Sequence, residues 1–108
     1  MIGNNWTGRL EVLLGTFDIT AVCNNWATLK HLATGIMIEA KIHANPDKDG
    51  IAGGRCSMLV AWEEREDKFY PGRPDEIEAR YENGCWIVPP KSAAADRAYN
   101  ELMILLAL

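Results

Sequence analysis

Cysteine is scarce in this sequence, and its arrangement fits no metal site. The three cysteines, Cys23, Cys56 and Cys85, are widely spaced, no C-x-x-C motif occurs, and only two histidines could supplement the thiols. Structural zinc sites usually take their ligands in close pairs, which this spacing does not offer. An odd number of cysteines is also typical of reduced thiols and not of a disulfide framework. We therefore expect free cysteines and no bound metal.

The sequence also lacks a long apolar run. The longest one, Leu102–Leu108, is far shorter than the ~20 residues that a membrane-spanning helix needs. The first residues do not follow the basic and then apolar order of a secretory signal. We expect a soluble, cytoplasmic protein without a membrane partner.

Clustered positive charge is missing as well. The chain carries 11 basic and 15 acidic residues, for a net charge of −4, and its lysines and arginines are dispersed. Proteins that bind nucleic acids neutralise phosphates with clusters of Lys and Arg, so no nucleic-acid partner is expected. Neither a Walker motif nor the spaced glycines of a dinucleotide-binding loop occurs, and the sequence predicts no cofactor.

What the sequence does contain is the composition of one globular domain over residues 1–108. Hydrophobic residues make up 48% and charged residues 24%, which is far from the composition of a disordered chain. The clearest pattern lies between Gly35 and Trp62, where two alternating arms flank a turn-rich connector. The apolar positions of one parity are Ile36, Ile38, Ala40, Ile42 and Ala44 in the first arm, and Cys56, Met58, Val60 and Trp62 in the second. This alternation predicts a long β-hairpin at the centre of a sheet.

The residues before this hairpin allow more than one interpretation. Alternating apolar residues around Gly15-Thr16 favour a hairpin over 9–21, because glycine suits the first position of a type II′ turn. The rival interpretation is a short helix, since leucines in the same segment also fit helical spacing.

The segment from Trp26 to Ala33 is predicted to be helical. Asn24-Asn25 suits an N-cap, apolar residues follow at helical spacing, and Gly35 suits the residue after the helix end. The alternative of one long helix over residues 26–44 stays open.

The strongest local signal is Asn83-Gly84 between two alternating runs. A type I′ turn needs positive φ at both central residues, which Asn-Gly adopts readily. If these two residues form the turn, Glu82 faces Cys85, Tyr81 faces Trp86, and Ala79 faces Val88.

Ser92 is the predicted N-cap of a final helix, whose end, residues 102–108, is apolar all round. That end must be buried within the fold or across a homodimer, and both alternatives stay open. The order of elements is then ββ-α-ββ-ββ-α, an α+β fold. It has an antiparallel sheet of about six strands, with two helices packed on it in two layers.

Two groups of residues resemble chemical sites. The connector from Asn45 to Gly50 resembles the opening of a calcium loop, but position twelve, where a bidentate carboxylate is needed, is Cys56. A solvated loop is the better interpretation. Cys56 could also approach His43 across the hairpin as a nucleophile and base, whereas Cys23 and His31 are only near in sequence. Neither pair is a convincing catalytic set, and we favour a protein that is not an enzyme.

The leading functional hypothesis is a small interaction or regulatory protein that binds another protein. The acidic, proline-braced segment 63–75 is the predicted docking surface, because tyrosine and arginine are enriched among interface hot spots and a rigid loop loses less entropy on docking. Its predicted partner-binding residues are Glu64, Glu66, Asp67, Phe69, Tyr70 and Arg73.

The alternative is a small-ligand-binding domain or a small enzyme with a pocket between the sheet and the helices. Such pockets are mostly apolar with few polar groups, so a sequence conceals them. Trp62 or Trp86 would then line the pocket.

The docking hypothesis predicts that Tyr70→Ala combined with Arg73→Ala abolishes capture of the protein partner. The melting temperature should stay nearly unchanged, because both residues are expected to be exposed. Affinity capture and thermal unfolding of the same preparations test this. An equal loss of stability would count against the hypothesis.

Overall fold

The structure, a computed structural model, describes residues 10–43, 45, 48–64 and 76–108. Within these ranges an antiparallel sheet is followed by a helix, in an α+β fold. The strands are β1 (Phe17–Cys23), β2 (Trp26–His31), β3 (Ile36–Ile42), β4 (Cys56–Glu63), β5 (Ile77–Glu82) and β6 (Cys85–Val88), and the helix is α1 (Ala93–Leu106). The strands pair in sequence order, β1 to β6, as a single meander. The prediction of about six strands is confirmed, but the described part of the chain has one α-helix and not two.

The helix predicted after Asn24-Asn25 is wrong, because this segment is strand β2. Cys23 pairs with Trp26, so the two asparagines form the tight turn of the β1–β2 hairpin, and Asn24 has a φ of 54°. Asparagine tolerates this left-handed region better than most residues, which is why it also suits turns. The burial of Ala27, Leu29 and His31 has the period of two that a strand requires.

The hairpin predicted over 9–21 is also wrong. Residues Glu11–Leu13 form a short 3-10 helix, and the strand after Gly15-Thr16 pairs with β2. Leu10 and Leu13 are buried in the core, as the rival helical interpretation of this segment required. Gly15 adopts a φ of 94° at the turn that redirects the chain into β1.

The central hairpin of β3 and β4 is confirmed, and Ile36, Ile38, Ala40 and Ile42 face the core as predicted. The inward parity predicted for the second arm is only partly right. Ile38 pairs with Ala61 and Ala40 with Leu59, so Leu59 and Ala61 face the core in place of Met58 and Val60.

A β-bulge explains why Cys56 nevertheless lies in the core. Lys41 pairs with Met58 and the next residue, Ile42, pairs with Cys56, so Ser57 is the extra residue. One extra residue reverses the parity of everything that follows on that strand.

The β5–β6 hairpin has the predicted turn. Asn83 and Gly84 have φ values of 53° and 83°, and Glu82 pairs with Cys85 and Tyr81 with Trp86. The rings of Tyr81 and Trp86 meet edge to face with centroids 5.1 Å apart, a geometry that stabilises aromatic pairs. The register then shifts, so Val88 pairs with Arg80 and not, as predicted, with Ala79.

Helix α1 begins at the predicted cap, where Ser92 Oγ accepts a hydrogen bond from the Ala95 amide at 3.0 Å. Its buried stripe packs the helix on the core and consists of Ala95, Ala98, Leu102 and Leu106. The apolar end is not buried all round, since Ile104 is 64% and Leu108 66% exposed. Whether a second copy covers these side chains stays a prediction. Among the described residues, no helix is long and apolar enough to cross a membrane.

The burial of α1 predicts a large difference between two truncations on the same helix. Leu102→Ala should destabilise the protein by about 2–5 kcal/mol, because it leaves a cavity in the core. Ile104→Ala is the matched control and should change the free energy of unfolding by less than about 0.5 kcal/mol. Urea unfolding of both variants tests this, and similar losses would contradict the orientation of the helix.

Candidate functional site

The predicted docking surface lies almost entirely outside the described residues. This holds for Glu66, Asp67, Phe69, Tyr70 and Arg73. Glu64 lies just after β4, and its carboxylate accepts from Lys30 Nζ at 2.8 Å. This ion pair raises the pKa of Lys30. Because both side chains are partly exposed, the pair holds the strand end only weakly.

His31 is a fully buried residue whose two ring nitrogens are both hydrogen-bonded. Nδ1 lies 2.7 Å from Thr34 Oγ1, and Nε2 lies 2.8 Å from Glu101 Oε1. An ionised carboxylate only accepts, so Nε2 carries the proton in the second bond. Thr34 Oγ1 also accepts from the Ile36 amide at 3.3 Å. This network joins the β2–β3 turn to the helix.

Glu101 connects the buried histidine to the surface. Its other oxygen, Oε2, accepts from Arg97 Nε at 2.7 Å, one helical turn earlier. The hydrogen bond from His31, reinforced by the bond from Arg97, lowers the pKa of Glu101 below its ordinary value of 4.5. A Thr-His-Glu series resembles a nucleophilic triad in composition, but here each bond also fastens one element to another. We interpret it as a structural clamp.

The predicted approach of Cys56 to His43 does not occur. The bulge instead brings Ser57 to His43, with 2.6 Å between Ser57 Oγ and His43 Nε2. Cys56 Sγ donates to the Met58 carbonyl at 3.2 Å, and burial raises the pKa of the Cys56 thiol to about 12. Because the thiolate is the nucleophile, Cys56 is chemically inert at neutral pH.

The second sequence pair, Cys23 and His31, is also separated. Cys23 pairs with Trp26 at one end of β2, whereas His31 pairs with Phe17 at the other. The three cysteines are free, as predicted, with Cys56 buried and the other two exposed. In the ranges that the structure describes, no group of three His, Cys, Asp or Glu side chains is arranged to hold a metal ion.

A cavity of about 470 Å³ lies between helix α1 and the described residues (43, 45 and 48–55) of the connector that joins β3 to β4. We call it the connector cavity. The C-terminal half of the helix segment contributes Tyr99, Asn100, Met103, Leu106 and Ala107. The connector contributes Ile51, Gly54 and Arg55. The walls are therefore mainly apolar, with a few polar groups and a single charged residue.

Arg55 is the unusual member of this lining. Its Nη1 is buried and has no hydrogen-bond partner among the described residues. The backbone carbonyl of the same residue accepts from the His43 amide at 2.8 Å, which fixes where the side chain begins. A buried donor without an acceptor costs free energy, so Arg55 is the lining residue whose hydrogen-bonding capacity is not fully used.

An aromatic row supports the cavity from the sheet side. Trp86 contacts Tyr81 on one side and Tyr99 on the other, with ring centroids 5.1 Å apart in both pairs. Tyr81 Oη donates to the Asp49 carbonyl at 3.1 Å and thereby ties the connector to β5. Burial, and secondarily the charge of Asp96, raises the pKa of Tyr99, so its phenol stays neutral. The predicted pocket residue Trp62 does not line this cavity, and Trp86 reaches it only through Tyr99.

The comparisons with known proteins add no functional information. No protein-family model matches the sequence, and neither a curated protein nor a solved structure gives a significant match. The candidate site therefore depends on the geometry of this chain alone.

Ser57 and Arg55 were not among the predicted site residues. Ser57 faces His43 because of the bulge, for which the sequence has no distinct signal beyond the small residues before it. Arg55 follows Gly53-Gly54 at the end of the turn-rich connector. Only the packing of α1 against that connector makes the arginine part of a cavity.

The clamp predicts a specific dependence of stability on pH. A pKa lowered by folding contributes stability above the unfolded value of 4.5, and this contribution disappears as the pH falls through the lower folded value. Glu101→Gln should therefore be less stable than the wild type at neutral pH. Its stability should also fall less steeply than that of the wild type as the pH drops below about 4.5.

Arg97→Gln is the graded comparison. Removing one of the two donors raises the folded pKa of Glu101 toward 4.5, so the loss of stability in acid should be smaller than in the wild type and complete at a higher pH. Thermal unfolding from neutral to acid pH measures both effects. If stability depends on acid pH in the same way in all three proteins, protonation of Glu101 does not contribute to the pH dependence of folding.

Proposed function

We propose that this protein binds a small molecule in the connector cavity. The observation that carries the proposal is the cavity itself. Its volume of about 470 Å³ falls within the range of roughly 300–1,000 Å³ that small-molecule sites occupy. Its lining also has the usual character of such a site, being mostly apolar with a few polar groups.

The fixed position of both walls supports a preformed site. The connector is held by the Tyr81–Asp49 hydrogen bond and by backbone bonds from Gly53 and Gly54 to Gly50 and Ile51. The helix is held by its buried stripe and by the His31–Glu101 bond. A cavity between two anchored walls loses little conformational entropy when a ligand enters.

Protein binding through segment 63–75 stays a second proposal. Its support is the sequence alone, and Glu64, its described member, is engaged by Lys30. Ligand binding in the connector cavity and docking through that segment use different parts of the chain, so both functions are compatible.

Titration with N-phenylnaphthylamine, a neutral apolar fluorophore, tests the proposed function. We expect saturable one-to-one binding. We also expect a change in Trp86 emission, because Trp86 contacts the lining residue Tyr99. Asn100→Trp places a bulky side chain on an exposed lining position and should weaken binding by about tenfold or more, equivalent to about 1.4 kcal/mol.

Ile104→Trp is the matched control. Ile104 lies on the same helix and is 64% exposed, but it does not line the cavity, so binding should be unchanged. Equal affinities of the wild type and Asn100→Trp would place the fluorophore elsewhere. Absence of saturable binding of this probe to the wild type would overturn the proposed function.

A further inference from the structure

We infer that the ligand of the connector cavity is a small monocarboxylate with an apolar body, and that Arg55 binds its carboxylate. This inference rests on the proposed function and adds the chemical class of the ligand. It is argued from the state of the Arg55 guanidinium, from the other lining residues and from the charge that they leave uncompensated.

The Arg55 side chain differs from the other arginines that the structure describes. Arg80 donates to Glu82 at 3.0 Å, and Arg97 donates to Glu101 at 2.7 Å, so each is held by a carboxylate. Within the described residues, no hydrogen bond or ion pair engages the Arg55 guanidinium, although its Nη1 is shielded from water. Of these three guanidinium groups, only that of Arg55 has no carboxylate partner among the described residues.

Two groups near Arg55 that could become anions stay neutral. Cys56 follows Arg55 in the chain, but burial raises the pKa of its thiol to about 12. Tyr99 lines the same cavity, and burial raises the pKa of its phenol as well. The cavity therefore holds one positive charge that its own residues do not neutralise.

The lining indicates what kind of anion fits. Arg55 is its single charged residue, and Ile51, Met103 and Leu106 supply apolar surface. A carboxylate has one negative charge and two oxygens that match the planar fork of a guanidinium. A phosphate monoester carries about −1.5 to −2 at neutral pH and would leave negative charge uncompensated in an apolar site. An apolar body on the carboxylate would bury against the three apolar side chains.

The helix dipole gives a competing explanation for the position of the Arg55 guanidinium at the cavity. Leu106 and Ala107 lie at the C-terminal end of α1, where the partial negative charge of the helix favours a nearby cation. If this were the sole role of Arg55, its removal would lower stability and leave ligand affinity unchanged. The experiment below separates the two roles.

Three probes with one common tail test the inference: decanoate, decanol and decylamine, which is an ammonium ion at neutral pH. Each is titrated calorimetrically, below its micelle concentration, into the full chain. Wild-type protein should bind decanoate at least about tenfold more tightly than decanol, as expected for a hydrogen bond to a charged group. Decylamine should bind most weakly, because its charge is repelled by Arg55.

Arg55→Met removes the charge and keeps the length of the side chain. It should abolish the preference for decanoate and retain the binding of decanol. Arg55→Lys should keep part of the preference, since it keeps the charge without the planar fork. Arg80→Met is the matched control, because Arg80 is paired with Glu82 and does not line the cavity. If Arg55→Met does not fold, Arg55→Gln supplies the uncharged comparison.

Each outcome separates this inference from the proposed function. Equal affinity of the wild type for decanoate and decanol, or tighter binding of decylamine, would overturn the inference and leave a ligand site. A preference for decanoate that persists in Arg55→Met would remove Arg55 from that role. If no probe binds, or if Asn100→Trp binds all three as the wild type does, the ligand site itself is wrong.

Discussion

The β-bulge at Ser57 is the constraint on which the candidate site depends. Without the extra residue, the strict alternation of β4 would bring Ser57 to the core face and turn Cys56 away from it. With it, Cys56 pairs with Ile42 and is buried, and Ser57 meets His43. The bulge also fixes the direction in which the chain enters β4 from the connector. The position of Arg55, one residue before the strand, follows from that direction.

The cavity lies between two elements that are anchored to the sheet by different contacts. Helix α1 is held to the sheet by its buried stripe, by the His31–Glu101 bond and by the contact of Tyr99 with Trp86. The connector is held to β5 through Tyr81. Neither set of contacts crosses the space between the helix and the connector. Close packing would normally fill such a space, so separate anchoring is what keeps it open.

The parts of the fold that were predictable are those specified by local chemistry. Asn83-Gly84 can form a tight hairpin turn with little help from the rest of the protein, and Ser92 can cap a helix by itself. The isoleucines of β3 alternate strictly, and a strand is the structure that buries such a pattern.

The parts that were not predictable depend on tertiary contacts. Asn24-Asn25 suits a helix cap as well as a turn, and the choice is made by the burial of Leu29 and His31 against the core. Burial of His31 is tolerated because both of its ring nitrogens are hydrogen-bonded, one to Thr34 and one to Glu101. Glu101 is 70 residues away from His31 in the chain. No window of the sequence contains that information.

Arg55 is the extreme case of this dependence. In the sequence it is one basic residue beside a glycine pair, and it would ordinarily be a solvated charge. In the fold one of its nitrogens is buried, and burial keeps Cys56 and Tyr99 neutral. Among the residues that line the cavity, Arg55 is the one that carries a charge. The packing of α1 against the connector, which forms the cavity, therefore also gives it a positively charged side chain.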